Sequence, residues 1–379
     1  MVYLDYNATT PCSEEVVQAM LPYFSEKFGN AASRTHAKGW QADEAVQIAR
    51  RQVAELIHAE DQSIVFTSGA TESCNLALKG VFEVMKGFGN HIITCSTEHK
   101  AVLDTCAHLE SQGARITYLN PDVSGRINLE ELTAAITPET ILIALMYANN
   151  ETGVIHPVKE IGAIAKAHKV FFFCDATQAV GKIPVNVQEE GIDLLALSAH
   201  KFYGPKGVGI LYTRRRSPRV QLVAQIDGGG HQNGMRSGTL NVPAIVGLGK
   251  AAEQCRLHME EWMSAVHTLR NEAEEALLKI EGAVLNGDLA QRLPNVLNIA
   301  FEGIKAERLV SRLNNDIAFS VGSACTSAQQ KASHVLTAMN LPQTVIEGSV
   351  RLSFGRYNTV EEVRFAVEKI KAAVNELKK

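Results

Sequence analysis

The sequence has few of the features that mark fibrous, membrane or nucleic-acid-binding proteins. Aromatic residues make up 6% of its 379 residues and charged residues 21%, values close to those of ordinary globular domains. No apolar run reaches the length that crosses a membrane. The net charge of -4 provides no strong field for nucleic acid or anionic lipid. We therefore expect a globular protein that binds neither membranes nor nucleic acids directly.

Cysteine is scarce and irregularly spaced. The seven cysteines are odd in number and form no C-x-x-C pair, which argues against both a disulfide framework and a zinc ribbon. The sequence therefore predicts no metal site. The first ten residues contain no basic start followed by an apolar run, so a cytoplasmic location is expected.

What the sequence does contain is an alternation of short β-branched runs with helical stretches. Several runs are apolar throughout, which is typical of strands covered by helices on both faces of a mostly parallel sheet. The last two strands are separated by too few residues for a helical crossover, so they are either antiparallel or not neighbours. This pattern predicts an α/β fold with a mixed seven-stranded sheet, whose strands are 63–66, 91–95, 115–119, 141–147, 170–174, 193–197 and 208–212.

The chain is long enough for two domains. Helical spacing of apolar residues predicts long helices over 37–58 and 244–281, and Thr359 with Glu362 forms a capping box at the start of a final helix. Strands of a second, smaller sheet are predicted over 296–301, 317–325 and 349–354. We predict a large domain over 14–255 and a small α+β domain made of 1–13 and 256–379.

A lysine and an acid follow two of the predicted strands. Asp175 ends one strand and Gln178 follows within a turn, while Lys201 comes shortly after another. Ligands gather at the carboxyl ends of parallel strands. A partly desolvated lysine forms Schiff bases, and pyridoxal phosphate pairs such a lysine with an acid at its pyridine nitrogen. The alternatives are an exposed loop lysine for Lys201 and a helix N-cap for Asp175.

Three further strand ends contribute polar residues to the same predicted edge. The segment SGATES at 68–73 opens a helix, where backbone N–H groups and the Thr71 hydroxyl bind phosphate, although plain capping is the alternative. His99 can stack on a cofactor ring and exchange protons, or it can be structural. Asn150 can contact a ligand or satisfy a turn.

Cys325 and Arg351 are the candidates outside this edge. Cys325 is surrounded by small residues, whereas the other six cysteines lie in or beside apolar segments. It therefore has the best case for exposure and nucleophilic attack, with an incidental loop cysteine as the alternative. Arg351 follows a predicted strand and can bind a carboxylate bidentately, or it can form a surface ion pair.

These motifs together resemble the cysteine desulfurases of the NifS and IscS type, a group within the fold type I pyridoxal-phosphate enzymes and the class V aminotransferase superfamily. The resemblance covers essentially the whole chain. The motifs that carry it are YLDYNATTP (3–11), FTSGATES (66–73), TEHKAV (97–102), NNETGV (149–154), CDATQAVGK (174–182), SAHKFYGPKGVG (198–209), RSGTLN (236–241) and GSACTSA (322–328).

The resemblance implies roles for individual residues. Lys201 would hold pyridoxal phosphate and remove the α-proton of L-cysteine, and Cys325 would accept the sulfur as a persulfide, leaving alanine. Asn150 and Arg351 would bind the substrate carboxylate, and His99 would stack on the ring. The other cofactor contacts would be Asp175 at the pyridine nitrogen, Gln178 at the phenolic oxygen, Ala70, Thr71, Ser198 and His200 at the phosphate, and Thr239 from the second subunit of a homodimer.

The resemblance also implies acceptor proteins for the sulfur, such as an iron-sulfur scaffold, or a path to tRNA thiolation. The basic cluster of Arg214, Arg215, Arg216 and Arg219 matches a segment where relatives meet partners, with a solvated loop as the alternative. Rival functions are a selenocysteine lyase, another class V enzyme, and a cofactor-free scaffold that relays persulfide sulfur.

Overall fold

The computed structural model describes residues 1–216, 218–322 and 332–378. In these ranges the strands are β1 (Val2–Tyr3), β2 (Ile64–Thr67), β3 (His91–Cys95), β4 (Arg115–Leu119), β5 (Thr140–Met146), β6 (Phe171–Asp175), β7 (Leu194–Ser198), β8 (Gly209–Thr213), β9 (Ala283–Leu285), β10 (Val296–Phe301), β11 (Ile317–Ala318) and β12 (Ser349–Ser353). The helices are α1 (Glu14–Met20), α2 (Pro22–Ser25), α3 (Ala37–Leu56), α4 (Ala70–Met85), α5 (Lys100–Ser111), α6 (Leu129–Ala135), α7 (Val158–His168), α8 (Val242–Leu277), α9 (Ala306–Leu313), α10 (His334–Ala338), α11 (Gln343–Gly348) and α12 (Val360–Leu377).

The main sheet has seven strands in the order β2-β8-β7-β6-β5-β3-β4. Strand β8 runs antiparallel to both neighbours, and the other neighbouring strands run parallel. Each strand begins within one residue of its predicted position. The predicted mixed seven-stranded sheet is therefore confirmed, and the short segment before β8 produces an antiparallel neighbour.

Helices cover the main sheet on both faces. Because successive side chains of a strand point to opposite faces, Phe172 packs with α3, α7 and α8, while its neighbour Phe173 packs with α4 and α5. Burial on both faces explains why these strands are apolar throughout. It also leaves the ends of the strands as the place where polar residues of the sheet meet solvent.

The second sheet is smaller and antiparallel, in the order β12-β10-β9. The prediction of a strand over 317–325 in this sheet was wrong. Of the described residues of this segment, 317–322, Ile317–Ala318 form a strand that pairs in parallel with β1, and Ser320 forms a single bridge with Arg351. Strand β9 occupies the edge beside β10 instead, and the sequence did not indicate it.

Helix α8 runs through two hydrophobic clusters. The cluster beneath the main sheet contains residues of α8 from Val242 to Cys255, and the cluster of the smaller sheet contains residues from Met263 to Leu277 together with Val2 and Leu4. Helix α12 closes this second cluster, and the predicted capping box of Thr359 and Glu362 forms at its start. The predicted division into domains at 13/14 and 255/256 stays a prediction.

Candidate active site

The carboxyl ends of five strands meet at one edge of the main sheet. Strands β2, β3, β5, β6 and β7 all point the same way, so the residues that follow them converge there. They line a cavity of about 370 Å³, the size of a small-molecule site. Nine of the ten predicted cofactor residues are in its lining, namely Ala70, Thr71, His99, Asn150, Asp175, Gln178, Ser198, His200 and Lys201.

Asp175 lies at the floor of this cavity and is buried. One carboxylate oxygen accepts hydrogen bonds from the backbone N–H and the hydroxyl of Thr177, and the other accepts the Cys74 thiol at 3.9 Å. A buried carboxylate held in this way is oriented toward the cavity without needing a cation from the chain. It can pair with a protonated ring nitrogen of a ligand.

Glu98 is a second buried acid beside Asp175, and the sequence did not single it out. Burial, reinforced by the charge of Asp175, raises the pKa of Glu98 well above its usual range. One oxygen accepts the Met146 backbone N–H at 2.8 Å, and the other has no partner among the described residues. Burial therefore disfavours the ionised form of Glu98, the second acid beside Asp175.

The start of α4 also lines the cavity. Gly69 precedes the helix with φ of 151°, a conformation that side chains disfavour, and it provides no side-chain cap. The predicted phosphate residues Ala70 and Thr71 are the first two residues of the helix. Uncapped N–H groups and the helix dipole make this end suitable for a phosphate.

Ser198 and His200 border the same end. Ser198 is buried, and the His200 ring lies 3.1 Å from the Thr9 hydroxyl. Burial, together with the nearby charges of Lys201, Lys206 and Lys182, lowers the pKa of His200 to about 4. At neutral pH it is therefore a neutral ring that can donate one hydrogen bond without adding charge.

Lys201 reaches the N-terminal segment of the chain. Its amine donates to the backbone carbonyls of Asn7 at 2.6 Å and Ala8 at 2.9 Å. Asn7 is buried, and its carbonyl also accepts from Gln178, while its side-chain oxygen accepts from Asn295. Asn7 lies in the motif YLDYNATTP, which identified the family but gave no role to this residue.

His99 and Asn150 both make structural contacts and both line the cavity. His99 is the N-cap of α5, where its Nδ1 accepts the Ala101 N–H at 3.1 Å, and it lines the cavity at the same time. The backbone carbonyl of Asn150 accepts from Asn7 at 3.1 Å and from Arg351 at 2.9 Å. Structural contacts therefore position both residues at the cavity wall.

Arg351 lies behind Asn150 and is not in the cavity lining. It is 2% exposed, and its guanidinium donates to the Asp5 carboxylate at 2.7 Å and to the Ser320 hydroxyl at 3.3 Å. The alternative of an ion pair is therefore what the structure shows, although the pair is buried rather than on the surface. Its Nε–H has no partner among the described residues.

The remaining predicted residues are Thr239, Cys325 and the basic cluster. Thr239 is exposed and does not line the cavity formed by its own chain. Cys325 lies outside the described residues. Of the basic cluster, Arg214 forms an ion pair with the buried Asp193, while Arg216 and Arg219 are exposed.

Two features are absent from the described ranges, residues 1–216, 218–322 and 332–378. No group of three or more histidine, cysteine, aspartate or glutamate side chains in those ranges is arranged to hold a metal ion. Within the same ranges, no helix combines the length and apolar character needed to cross a membrane.

Comparison with known proteins identifies the family. Residues 2–365 match the family described as aminotransferase class-V. The chain belongs to this family. Proteins named cysteine desulfurase IscS, from Anaeromyxobacter sp. (strain K) and Actinobacillus succinogenes, are 50% and 51% identical to it, and each alignment covers 100% of this chain and 93% of the relative.

Solved structures agree with this family assignment. A structure named NifS-like protein has a TM-score of 0.93 at 37% identity and covers 99% of this chain and 100% of its own. A structure named SspA in complex with cysteine has a TM-score of 0.82 at 36% identity, with 95% and 100% coverage. The predicted fold type, the resemblance to the cysteine desulfurases and the dependence on pyridoxal phosphate are confirmed by these class V relatives.

Proposed function

We propose that this class V enzyme is a cysteine desulfurase, which removes sulfur from L-cysteine, releases L-alanine and places the sulfur on Cys325 as a persulfide. The observation that carries the proposal is the cavity at the sheet edge, where the predicted cofactor residues converge in a chain half identical to proteins named cysteine desulfurase. A similar solved structure is named as a complex with cysteine, which supports the substrate.

The lining of the cavity is suited to both the phosphate and the pyridine ring of pyridoxal phosphate. The uncapped start of α4 with Thr71, Ser198 and His200 would hold the phosphate, and Asp175 would face the pyridine nitrogen. His99 in the wall between them would contact the ring. When bound, this cofactor supplies an electron sink for a substrate that loses its α-proton.

Lys201 would both hold the cofactor and move the proton. Its Nζ lies in the cavity lining with two backbone carbonyls as acceptors, so the amine is held at a defined place. The same Nζ atom would take the α-proton of the bound substrate and later return a proton to the product carbon.

The substrate carboxylate is assigned to Asn150 and Arg351. Asn150 lines the cavity, and Arg351 donates to the Asn150 carbonyl from behind the wall. Asp5 accepts from one terminal nitrogen of this guanidinium, so a substrate carboxylate that bound at the same nitrogen would have to displace Asp5. Asp5 would then compete with the substrate carboxylate for the Arg351 guanidinium.

Cys325 would complete the reaction. Its thiolate attacks the sulfur of the substrate, forming an S–S bond while the bond between that sulfur and the substrate β-carbon breaks. The electron pair of the broken bond stays with the three-carbon fragment, which takes up a proton and leaves as alanine. Sulfur passes to acceptor proteins, such as an iron-sulfur scaffold, for which the exposed Arg216 and Arg219 and the half-buried Arg215 are the proposed contacts.

The assembly is proposed as a cytoplasmic homodimer with Thr239 contributing to the cavity of the second subunit. Thr239 is exposed in the Gly-rich stretch and has no place in its own cavity, which supports this arrangement. The domain division at 13/14 and 255/256, supported by the two hydrophobic clusters, belongs to the same proposal.

The experiment is to mix pure protein with L-cysteine and a reductant and to follow alanine and sulfide. Wild type should produce both in equal amounts, Lys201→Ala neither, and Cys325→Ala far less sulfide at unchanged cofactor content. Equal sulfide release by wild type and Cys325→Ala would exclude the persulfide step. A colourless wild-type protein after incubation with pyridoxal phosphate would exclude the cofactor.

A further inference from the structure

Lys182 is a buried lysine that the reaction described above does not use. It is 6% exposed, and within the described ranges its amine contacts no carboxylate. Its acceptors are the side-chain oxygens of Asn7, at 3.0 Å, and Gln178. Burial, with the charges of Lys201 and Arg351 nearby, lowers the pKa of Lys182 well below its usual range. Burial of a lysine without a carboxylate partner is unfavourable, which indicates that its hydrogen bonds have a function.

The contacts of Gln178 show what that function is. A glutamine amide has one end that accepts and one end that donates, and the two ends have nearly the same shape. Here Lys182 donates to Oε1, and Nε2 donates to the Asn7 backbone carbonyl at 3.0 Å. Because the Asn7 carbonyl can only accept, reversal of the amide would lose that contact and would place the amide N–H groups against the Lys182 amine, which donates to Asn7.

We propose that Lys182 is a positioning residue that fixes the amide of Gln178, so that Gln178 presents a hydrogen-bond donor, not an acceptor, to the oxygen of the cofactor beside it. The second N–H of Nε2 is the one left for the cavity that Gln178 lines. The inference rests on the proposed function, because it assumes that the phenolic oxygen of pyridoxal phosphate lies next to Gln178.

Asn7 connects the hydrogen-bonded pair of Lys182 and Gln178 to Lys201. The Asn7 carbonyl accepts from both Gln178 and Lys201, and its side-chain oxygen accepts from both Lys182 and Asn295. Lys182 therefore holds the residue that receives the Lys201 amine as well as the amide that faces the cofactor. One buried donor orients two groups on the same side of the cavity.

The test is a double-mutant cycle read by the visible absorption band of bound pyridoxal phosphate and by its dissociation constant. Lys182→Met keeps the length of the side chain and removes the donor. We expect a shifted band and about tenfold weaker cofactor binding, since a hydrogen bond to an ionised group contributes this much. Gln178→Leu should shift the band too, and adding Lys182→Met to Gln178→Leu should change nothing further.

Arg292→Met is the matched control, because it removes another buried cation, the partner of Glu274, away from the cavity. It should lower the melting temperature and leave the band unchanged. Lys182→Gln retains a donor and should keep the wild-type band, which gives a test even if Lys182→Met does not fold.

The results distinguish an error in the proposed cofactor site from an error in the role of Lys182. If Gln178→Leu leaves the band and the dissociation constant unchanged, the proposed cofactor site is wrong at Gln178. If Gln178→Leu shifts the band while Lys182→Met lowers only the melting temperature, or if the two changes are additive, Lys182 has no positioning role. A band lost in Lys182→Gln would also contradict the proposal, because a donor is still present there.

Discussion

Charged side chains around the cavity are held by buried partners rather than by water. The pair between Arg351 and Asp5 is the clearest case, because the arginine is 2% exposed and the N–O distance is 2.7 Å. Taking both charges out of water is costly, and the cost is compensated only while both partners remain. The same pair also occupies the arginine that we assign to the substrate, so one substitution tests both roles.

Asp5→Asn should destabilise the protein and improve substrate binding. Loss of the carboxylate leaves the buried guanidinium uncompensated, and we expect the free energy of unfolding to fall by about 3 kcal/mol. The KM for L-cysteine should fall, because no internal carboxylate competes for Arg351. Urea unfolding and steady-state kinetics measure the two effects.

Glu376→Gln is the control for that experiment. It breaks an exposed ion pair with Arg312 and should change the free energy of unfolding by less than about 1 kcal/mol. A KM for Asp5→Asn equal to or above the wild-type value would show that Arg351 does not receive the substrate carboxylate.

The buried His156 should make the stability of the protein depend on pH. Burial lowers its pKa to about 4, whereas an unfolded histidine titrates near 6.5, and neither ring nitrogen has a partner among the described residues. As the pH falls, the unfolded chain binds a proton at this histidine before the folded chain does. The free energy of unfolding therefore has its full value above about pH 6.5 and decreases as the pH falls toward 4. It declines by about 1.4 kcal/mol per pH unit within that window.

His156→Leu should remove that part of the pH dependence. Between about pH 7 and pH 5, wild type should lose roughly 2 kcal/mol more of its free energy of unfolding than the variant does. Urea unfolding at several pH values provides the measurement. Parallel stability curves for the two proteins would show that His156 is not the group that titrates.

At the scale of elements, α4 is tied to the Gly-rich stretch 226–241 by one ion pair. Arg236 donates to the Glu72 carboxylate at 2.8 and 3.3 Å, and Glu72 also accepts the Ser68 N–H at 2.8 Å. Both side chains are mostly buried, so the pair is stronger than an exposed one. It joins the proposed phosphate end of the cavity to the stretch that carries Thr239.

Glu72→Gln should loosen that connection. We expect faster hydrogen exchange in residues 226–241 and several-fold weaker binding of pyridoxal phosphate, with the exchange of β5 and β6 unchanged. Glu83→Gln, in the same helix and paired with Lys86, is the control and should leave both readings unchanged. Unaltered exchange in 226–241 would show that the ion pair does not hold the stretch.

The elements differ in how far their sequence determines them. The central strands β5, β6 and β7 are buried on both faces, so their apolar runs mark their positions within one residue. Residues 317–325 have a similar pattern, but the partner of β11 is β1, more than 300 residues earlier in the chain, and no local pattern indicates a partner so distant. The contacts of Asn7 with Lys201, Gln178 and Lys182 could not be predicted for the same reason.

At the scale of the whole molecule, several large aromatic side chains remain exposed, and one of them, Trp40, lies near the Gly-rich stretch. Phe28 is 67% exposed and Trp40 is 59% exposed, and Trp40 borders a cavity lined by residues 229–232. Exposed aromatic groups of this size mark interaction surfaces. Together with the exposed Thr239, they indicate the face that we assign to the second subunit of the proposed homodimer.

Replacing both aromatic residues should separate the subunits. Phe28→Glu combined with Trp40→Glu places charges on this face, and light scattering should change from the mass of a dimer to that of a monomer. Cofactor binding should weaken as well, because Thr239 of the partner subunit would no longer reach the cavity. A dimeric double variant would place the interface elsewhere.

The central claim is that Lys201, rather than another lysine near the cavity, carries the cofactor. Lys206 also lines the cavity, and Lys182 lies behind Gln178, so the chain offers two alternatives within the same region. The direct measurement is borohydride reduction of the protein with pyridoxal phosphate bound, followed by peptide mapping. We predict one labelled peptide, with the label on Lys201; a label on Lys182 or Lys206 would show that another lysine carries the cofactor.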